Sequence, residues 1–379
     1  MPEAVIVDAI RTPIGRAAKG SLKDVRADDL AAVPLKALVE RNPGVDFSQT
    51  TDVMMGCGFG LGEAGYNVGR NAALLAGLDH HIPATTVNRF CASSLQTIRM
   101  AFHAIKAGEG DQYIAAGVEA VSRFPQHPPY SPHPQLDGSD GAPYNVYIPM
   151  GLTAENVARR CHVSREAQDE WAKLSQDRAV AARDGGHFDA EIVPVGDVAR
   201  DDGPRPGTTL EKLAELKPAF DPEHGTVTAG NSCPLNDGAA AVLVMSDEKA
   251  RALGLTPKAR ILASSVSAIR PEIMGLGPIP AVKAVLEQAG MTIDDIDIVE
   301  LNEAFAAQVV PCREELKIDP EKLNPFGGAI ALGHPFGMTG ARIMTTLLNG
   351  LAATDGTYGL ETMCVAGGMG QAMIVERLN

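Results

Sequence analysis

Short apolar runs alternate with helix-like blocks along almost the whole chain, and this alternation constrains the fold more than any other feature of the sequence. Apolar runs without polar alternation are typical of strands that are buried on both faces between helices. The runs are AVIVDA (4–9), DVMMGC (52–57), QYIAAGV (112–118), AVLVMS (241–246), ARILAS (259–264), IDIVELN (296–302) and ETMCVAGG (361–368). The predicted helices cover 27–41, 67–78, 93–107, 164–184, 279–289 and 339–353. The pattern predicts an α/β fold built of helix and sheet layers.

Two segments far apart in the chain are similar to each other. AVIVDAIRTP spans 4–13 and ARILASSVSAIRP spans 259–271, and each half then carries a strand, a glycine-rich corner and a helix. A chain of 379 residues is also longer than one ordinary core requires. We therefore expect two similar α/β halves that pack together.

One stretch interrupts the alternation. Residues 122–151 are rich in Pro, Gly, His and Tyr and have little periodicity. Such a composition predicts a loop, which we expect to lead into a helical and irregular insertion that runs to about residue 236.

The charge and cysteine content exclude several classes of function. The formal net charge is −14, from 33 Lys and Arg against 47 Asp and Glu, which argues against binding to nucleic acid or to an anionic membrane. No run approaches the ~18 apolar residues of a membrane span, and the N-terminus does not have the pattern of a signal peptide. The six cysteines, at 57, 91, 161, 233, 312 and 364, lie far apart as in a reduced cytosolic protein. We predict a cytoplasmic location.

Cys91 lies between the strand-like TTVN and the predicted helix 93–107, where Ser93 or Ser94 could cap the helix. A sulfur at a helix N-terminus has a lowered pKa, which favours a nucleophilic thiolate. A cysteine in such a corner is equally often a small buried apolar group. The spacing alone leaves both interpretations open.

His334 lies among glycines in GGAIALGHPFG, just before the predicted helix 339–353. A helix N-terminus disfavours the protonated imidazole, so this His can stay neutral and accept a proton near pH 7. The alternative is a structural His that caps a turn.

Two further segments carry candidate polar groups. Cys364 ends a strand-like run before Gly367, Gly368 and Gly370, a turn that can direct several N–H groups toward an oxyanion; the alternative is a hairpin corner with a buried Cys. Asn302, in ELNEAFAAQ, follows a strand and opens a helix, for which a simple N-cap is the alternative.

Three basic residues, Arg205, Lys212 and Lys217, fall within 201–220 of this acidic chain. They form either a solvated face or a local site for an anionic ligand. GLGEAG (60–65) matches GxGxxG, but it follows a long first strand and helix and does not predict a dinucleotide site. The only adjacent candidates for metal ligands, His80-His81 and Cys161-His162, are isolated, so we predict no metal.

Together these segments resemble the thiolase family over nearly the whole chain. The motifs occur in the family's order and at its approximate intervals. They are NRFCASSLQ (88–96), MGLTAENVA (150–158), TAGNSCPLNDGAAAVLV (228–244), NEAFA (302–306), GGAIALGHPFGMTGAR (327–342) and CVAGGMGQAMIVER (364–377). The resemblance implies a five-layered αβαβα fold of two similar halves. It also implies a first half at 1–118 plus 236–256, an inserted loop domain at 119–235 that binds CoA, and a second half at 257–379.

The resemblance also implies an activity in lipid metabolism of the fatty acid β-oxidation type. A thiolase cleaves 3-oxoacyl-CoA with CoA into acetyl-CoA or propionyl-CoA and a shortened acyl-CoA, or runs the reverse Claisen condensation. Cys91 would be the acylated nucleophile, His334 its base, and Cys364 the acid/base at the α-carbon. His334 and a water held by Asn302 would stabilise the enolate oxygen, and the N–H groups of Cys91 and Ala366 would hold the other oxyanion.

For CoA, the resemblance places Arg205 near the nucleotide and Lys212, Leu213 and Phe220 around the adenine and pantetheine. Met150 and Phe305 would line the tunnel, with Cys233 beside the pantetheine arm. Two residues depart from the family pattern. Ala366 stands where Gly is usual, and Ala resists φ > 0. Cys233 stands where a small hydroxyl residue is usual.

CoA and acyl-CoA are expected only as substrates, with no other cofactor, and a homodimer or homotetramer is expected. A decarboxylating ketoacyl synthase would use two histidines and lack Cys364, and a hydroxymethylglutaryl-CoA synthase would use a Glu. The alternative from another class is a non-catalytic thiolase-like protein that binds acyl-CoA or lipid. The presence of Cys91, His334 and Cys364 together counts against it.

Overall fold

The computed structural model describes residues 2–125 and 131–379, in which ten strands and eleven helices are joined by loops and short 3₁₀ turns. The strands are β1 (Ala4–Arg11), β2 (Gly15–Arg16), β3 (Asp52–Gly56), β4 (Ala84–Val87), β5 (Gln112–Ala120), β6 (Asn236–Ser246), β7 (Ala259–Ala268), β8 (Ile298–Leu301), β9 (Tyr358–Val365) and β10 (Met369–Arg377). The helices are α1 (Ala27–Arg41), α2 (Val68–Leu75), α3 (Ser93–Ala107), α4 (Met150–Cys161), α5 (Arg165–Asp184), α6 (Leu210–Ala214), α7 (Asp247–Ala252), α8 (Pro278–Ala289), α9 (Ala306–Leu316), α10 (Ala329–Leu332) and α11 (Thr339–Thr354).

The strands are hydrogen-bonded in the order β4-β3-β5-β6-β1-β7-β10-β9-β8, and β2 pairs with β6. Within this order, β3-β5-β6-β1 and β8-β9-β10-β7 have the same pattern of one parallel pair followed by two antiparallel pairs. The two similar sequence segments form β1 and β7, which pair with each other at the centre, where Val5 lies opposite Arg260. The expected two similar halves are confirmed.

The helices that cover the sheet pack their apolar faces against it, and this packing produces the layers of the fold. Helices α3 and α11 lie between the two halves of the sheet, and their apolar side chains form the central core. Helices α1 and α2 cover the outer face of the first half, and α8 and α9 cover that of the second. This is the predicted five-layered αβαβα arrangement, with strands buried on both faces.

The two central helices approach each other closely because glycine occupies the contact. A Cβ atom added to Gly340, in the first turn of α11, would lie 2.2 Å from the backbone nitrogen of Leu95 in α3. A Cβ atom on Gly117 of β5 would lie 2.0 Å from the carbonyl oxygen of Gly337, in the loop before α11. The N-termini of α3 and α11 are therefore brought together at one end of the sheet.

The chain between β5 and β6 forms α4, α5 and α6 with long irregular connections. Ser164 caps α5 by accepting a hydrogen bond from the backbone N–H of Ala167, so the helix begins where the sequence predicts. Residues 126–130 of the predicted loop 122–151 lie outside the described residues, and the proposed domain bounds stay a prediction.

Most predicted helices have the expected limits. Helices α1 and α3 match their predictions residue for residue, whereas α2 ends at Leu75 and not at 78. Gly77, at φ +80°, turns the chain away from helical geometry soon after that end. Across residues 2–125 and 131–379, every helix is too short or too polar to cross a membrane.

Replacing Gly340 with alanine should test the close contact of α3 and α11. The added methyl group must push the helices apart, and we expect the free energy of unfolding to fall by roughly 1–3 kcal/mol. A lower midpoint of thermal unfolding measures the loss. The control is Gly44→Ala, because no atom lies within 4 Å of a Cβ atom at that position. Equal midpoints for the two variants would contradict the role of this contact.

Candidate active site

Cys91 lies in a short 3₁₀ turn, Phe90–Ala92, that leads directly into α3. The turn is tight enough that Phe90 has φ +43°, an uncommon and strained value for a bulky residue. Ser93 stabilises it by donating a hydrogen bond to the Phe90 carbonyl at 2.6 Å and accepting one from the Arg89 N–H at 2.9 Å.

The predicted serine cap of this helix is wrong. Residue Ala92 occupies the N-cap position and no side chain caps the helix. Ser93 serves the preceding turn, and Ser94 accepts a hydrogen bond from the N–H of Ala341 in α11. The two serines thus join the turn and the two central helices.

The Cys91 thiol is buried and protonated. Its sulfur accepts a hydrogen bond from the backbone N–H of Ala366, which favours the thiolate. Burial outweighs this bond and raises the pKa of Cys91 to about 12. The expected lowering of the Cys91 pKa by the helix N-terminus is therefore wrong, and a base must remove the proton for the thiol to act as a nucleophile.

His334 is buried, and its Nδ1 atom lies 2.7 Å from the Thr339 hydroxyl. That hydroxyl donates its single hydrogen to the Pro335 carbonyl at 2.8 Å, so it accepts from His334 Nδ1–H. The proton is fixed on Nδ1, and Nε2 is left as a proton acceptor. Burial, and secondarily the charge of Arg342, lower the pKa of His334 to about 3, which keeps the imidazole neutral.

Hydrogen bonds through Asn236 and the conformation of Gly333 fix the position of the segment around His334. The His334 N–H donates to Asn236 Oδ1 at 2.9 Å, and Asn236 in turn donates to the Gly15 carbonyl at 3.0 Å. Gly333 has φ +113°, and a Cβ atom there would lie 2.6 Å from the Asn236 side chain. Only glycine allows both the turn and this close approach.

Asn302 lies beside His334 and is not a helix cap. Its Nδ2 atom is 3.3 Å from His334 Nε2, whereas α9 begins four residues later, with Phe305 at its N-cap. The Asn302 Oδ1 atom is buried and has no hydrogen-bond partner among the described residues. The cap interpretation of Asn302 is wrong, and its amide faces the imidazole.

Cys364 is the second-last residue of β9, opposite Gly370 on β10. Burial, and secondarily the nearness of Cys91, raise its pKa well above the ordinary value, so it is a neutral thiol. The strand then turns through Gly367 and Gly368, both at positive φ, whereas Ala366 is not at positive φ. The backbone strain considered for Ala366 does not arise, and its N–H reaches the Cys91 sulfur.

Cys233 continues this pocket. Its thiol lies near those of Cys91 and Cys364, and its N–H donates to the Ala304 carbonyl at 3.0 Å. Burial raises the pKa of Cys233, which argues against a free thiolate there. The structure thus brings three thiols near one another. Asn302, which contacts His334, adjoins them through its N–H, which donates to the carbonyl of Thr362, two residues before Cys364.

The residues proposed for the CoA tunnel form a connected row. Phe305 is bridged to Ser232, next to Cys233, and its ring is 6.2 Å from that of Phe220. The Phe220 ring covers Gly151, where a Cβ atom would lie 2.2 Å from it, and Gly151 follows Met150.

The basic residues lie on the outer segment of the insertion. Arg205 and Lys212 are exposed, and Leu213 is buried beside them. Among the residues that the structure describes, the Lys212 ammonium donates only to the Gly207 carbonyl, at 3.2 Å. In the described parts of the chain, neither Arg205, Lys212 nor Lys217 forms an ion pair, so their charges are free to meet an anion.

Glu119 is a residue of the site that sequence reasoning missed. Its buried carboxylate accepts hydrogen bonds from the N–H groups of Gly58 at 2.8 Å, Phe59 at 3.1 Å and Gly337 at 2.8 Å. It thereby joins the loop after β3 to the loop that carries His334. Burial raises the pKa of Glu119 to about 7 in spite of these bonds. The sequence signal that could have indicated Glu119 is a charged residue at the end of the apolar run QYIAAGV.

A second group that sequence reasoning missed consists of buried charged residues on the strands that lead to Asn302 and Cys364. Glu300 and Glu361 are neighbours in the parallel pair β8 and β9, and Arg342 of α11 lies close to both. Burial raises the pKa of Glu300 to about 8 and that of Glu361 well above its ordinary value. Glu300 lies two residues before Asn302, and Glu361 lies three residues before Cys364. The buried charged group therefore adjoins the strand ends that carry Asn302 and Cys364.

Possible metal ligands occur elsewhere. Within the described ranges, one group of side chains is close enough to share an ion, namely Asp79, His80 and His81, all exposed. It belongs to the loop before β4. The prediction that the site uses no metal stays a prediction.

Comparison with known proteins adds to this geometry. The model of the thiolase N-terminal domain matches residues 4–248, and that of the thiolase C-terminal domain matches 255–377. Beta-ketoadipyl-CoA thiolase of Acinetobacter baylyi is 49% identical and 3-ketoacyl-CoA thiolase of Cronobacter sakazakii is 48% identical, each match covering 100% of both chains. The crystal structure of the Bacillus anthracis acetyl-CoA acetyltransferase has a TM-score of 0.91 and 38% identity, covering 100% of this chain and 99% of that one.

Replacing Thr339 with valine removes the acceptor for His334 Nδ1–H and keeps the shape of the side chain. The imidazole can then turn or change tautomer, and we expect Cys91 to react with iodoacetamide roughly 10- to 100-fold more slowly at neutral pH, part of what a positioned base contributes. Thr339→Ser should restore the rate. Mass spectrometry of the Cys91 peptide gives the measurement.

Thr345→Val is the control for this prediction. Thr345 is also buried on α11, but its hydroxyl donates only to the Ala341 carbonyl of the same helix. An equal loss of Cys91 reactivity in this variant would show a general effect on α11 and would contradict the specific role of Thr339.

Proposed function

This chain belongs to the thiolase family, and on that premise we propose that it transfers acyl groups through Cys91, cleaving 3-oxoacyl-CoA with CoA or running the reverse Claisen condensation. The observation that supports this most is the nearness of two protonated thiols, Cys91 and Cys364. Asn302, whose N–H donates to the Thr362 carbonyl two residues before Cys364, contacts a neutral imidazole whose Nε2 can accept a proton. A protein that only binds acyl-CoA has no use for all three groups.

In the first step, His334 Nε2 takes the proton of Cys91, and the sulfur attacks the 3-oxo carbon. The bond between the α- and β-carbons then breaks, and Cys91 is left as a thioester while acetyl-CoA departs as an enolate. A neutral imidazole is needed here, and the burial that lowers the pKa of His334 supplies it.

Two oxyanions need hydrogen bonds during the reaction. The N–H of Ala366 already reaches the Cys91 sulfur, and we propose that it and the Cys91 N–H hold the oxygen that forms during acyl transfer. For the enolate oxygen we propose His334 together with a water bound to the Asn302 amide, whose buried Oδ1 atom has no protein partner in the described chain.

Cys364 would complete the cycle. Its raised pKa keeps the thiol protonated until the carbanion, a far stronger base, takes the proton to give acetyl-CoA. The resulting thiolate is basic enough to remove the proton of an incoming CoA thiol, whose sulfur takes the acyl group from Cys91. Cys91 leaves as a thiolate and recovers its proton from His334, so all protons balance.

We propose that CoA lies along the row Cys233, Phe305, Phe220 and Met150, with its phosphates near Arg205 and Lys212. The apolar rings suit the pantetheine and adenine, and Leu213 supports the same wall. CoA serves as a substrate, and we propose that no other cofactor takes part. We also propose a cytoplasmic location, in keeping with the reduced thiols that the chemistry requires.

A homo-oligomer, dimer or tetramer, is also proposed. Strand β4 is an end strand of the sheet, and among the described strands it pairs only with β3. Next to it, Arg89 and Arg99 each have a buried Nε atom without a partner in the described chain. An open edge and two unpaired guanidinium groups suit contact with a second copy of the chain.

Replacing Cys364 with alanine should separate the two half-reactions. We expect Cys91 to be acylated normally by acetyl-CoA, whereas exchange of the acetyl α-protons with D2O is lost, because no group remains to carry that proton. Cys91→Ala should lose acylation and thiolysis altogether. Mass spectrometry of the acyl-enzyme and NMR of acetyl-CoA measure the two steps.

Cys312→Ala is the matched control, since this buried thiol lies on α9 and donates to the Gly275 carbonyl at 3.4 Å. Retention of α-proton exchange in Cys364→Ala would overturn the role of Cys364, and an active Cys91→Ala variant would overturn the proposed function.

Light scattering of the purified protein should give two or four times the chain mass of 39.8 kDa. We expect Arg99→Glu to shift the protein toward the monomer at micromolar concentration, because it places a reversed charge at the contact. Lys36→Glu, on the outer helix α1, should leave the mass unchanged. A monomeric wild-type protein would contradict the proposal.

A further inference from the structure

Four phenylalanine side chains meet beside the catalytic residues; we call Phe59, Phe90, Phe124 and Phe336 the phenylalanine cluster. The Phe59 ring is central, with its centroid 5.8 Å from that of Phe90, 5.6 Å from Phe124 and 5.5 Å from Phe336. These spacings are those of interacting aromatic pairs. The whole chain has ten phenylalanines, so two-fifths of them gather at one place.

The phenylalanine cluster adjoins the reacting groups. Phe90 immediately precedes Cys91, and the Phe336 ring stands edge-on to the His334 imidazole at 5.1 Å. Phe59 is 38% exposed, and the other three rings are partly exposed. An apolar surface that begins at the nucleophile and the base and opens to solvent is available to a substrate.

Two polar groups hold three of these rings in place. Glu119 bonds the N–H groups of Phe59 and Gly337, so it fixes the loops that carry Phe59 and Phe336 to each other. Asn88 accepts from the Phe90 N–H at 2.8 Å and donates to the Gly58 carbonyl at 2.9 Å. The surface is thus preorganised, and a ligand need not pay to order it.

Charged groups around the phenylalanine cluster are occupied or directed elsewhere. Arg123, next to Phe124, pairs with Glu63 at 2.5 Å, and Arg26 pairs with the same carboxylate at 3.4 Å. Arg89 lies near Arg99 of α3, and both residues are already proposed to contact a second copy of the chain. Glu119, whose carboxylate bonds the N–H groups of Phe59 and Gly337, brings no positive charge to the phenylalanine cluster.

A 3-oxoacyl-CoA substrate extends from Cys91 in two directions. The CoA arm is already assigned to the side of Cys233 and Phe305, which shares no residue with the phenylalanine cluster. We propose that the acyl chain lies on the phenylalanine cluster, so that the enzyme prefers 3-oxoacyl-CoA with an apolar tail and discriminates against a tail that ends in a carboxylate. This inference rests on the proposed thiolysis.

The test compares thiolysis of 3-oxooctanoyl-CoA, acetoacetyl-CoA and 3-oxoadipyl-CoA by the full-length oligomer. We expect kcat/KM for 3-oxooctanoyl-CoA to exceed that for acetoacetyl-CoA by roughly 10-fold, since extra methylenes are bound. It should exceed that for 3-oxoadipyl-CoA by roughly 100-fold, since burying a carboxylate without a partner is costly.

Phe59→Ala should reduce kcat/KM for 3-oxooctanoyl-CoA by a larger factor than for acetoacetyl-CoA and so lower their ratio by roughly 10-fold. Phe124→Ala is a second variant on the outer side of the phenylalanine cluster, in case Phe59→Ala lowers the thermal unfolding midpoint. Tyr66→Ala, an 85% exposed aromatic outside the phenylalanine cluster, is the control and should leave the ratio unchanged.

The outcomes separate the two proposals. Activity with a preference for 3-oxoadipyl-CoA, or an unchanged ratio in both phenylalanine variants, overturns this inference and leaves the thiolase function standing. A wild-type protein that cleaves none of the three substrates overturns the proposed function and this inference with it.

Discussion

The close packing of α3 against α11 is the constraint on which the site depends. Gly340 lets the backbone of α11 approach Leu95 of α3, so two helices from different halves of the chain begin at nearly the same place. Cys91 precedes one helix and His334 precedes the other. A larger residue at this contact would separate Cys91, the proposed nucleophile, from His334, its proposed base, although neither residue takes part in the contact itself.

Removal of water from this end of the sheet then sets the protonation states. Burial raises the pKa of the Cys91 and Cys364 thiols and lowers that of His334, so the candidate site holds neutral groups. Neutral groups cost less to bury than ions do, which makes such a pocket stable. Proton transfer between these side chains can then wait for the substrate. Each thiolate or imidazolium forms only when an oppositely polarised substrate atom is bound next to it.

The features that could be predicted from the sequence are those set by residues close together in the chain. The limits of α1 and α3 are set by local periodicity and were predicted correctly, as was the pairing of two similar halves. Ser93 was misassigned as a cap because its bonds to Phe90 and Arg89 require a turn that no local pattern specifies. Glu119 was missed because its partners, Phe59 and Gly337, lie 60 and 218 residues away in the chain.

The two similar halves carry different side chains at equivalent strand ends. Glu119 is the second-last residue of β5, as Cys364 is of β9, and Cys57 follows β3 as Asn302 follows β8. In the first half, the Cys57 thiol lies 3.9 Å from the Glu119 carboxylate, which ties backbone loops together. In the second half, the equivalent positions carry the Asn302 amide, which faces His334, and the Cys364 thiol. Equivalent strand ends thus join backbone loops in one half, where Glu119 bonds Phe59 and Gly337, and carry the proposed reactive groups in the other.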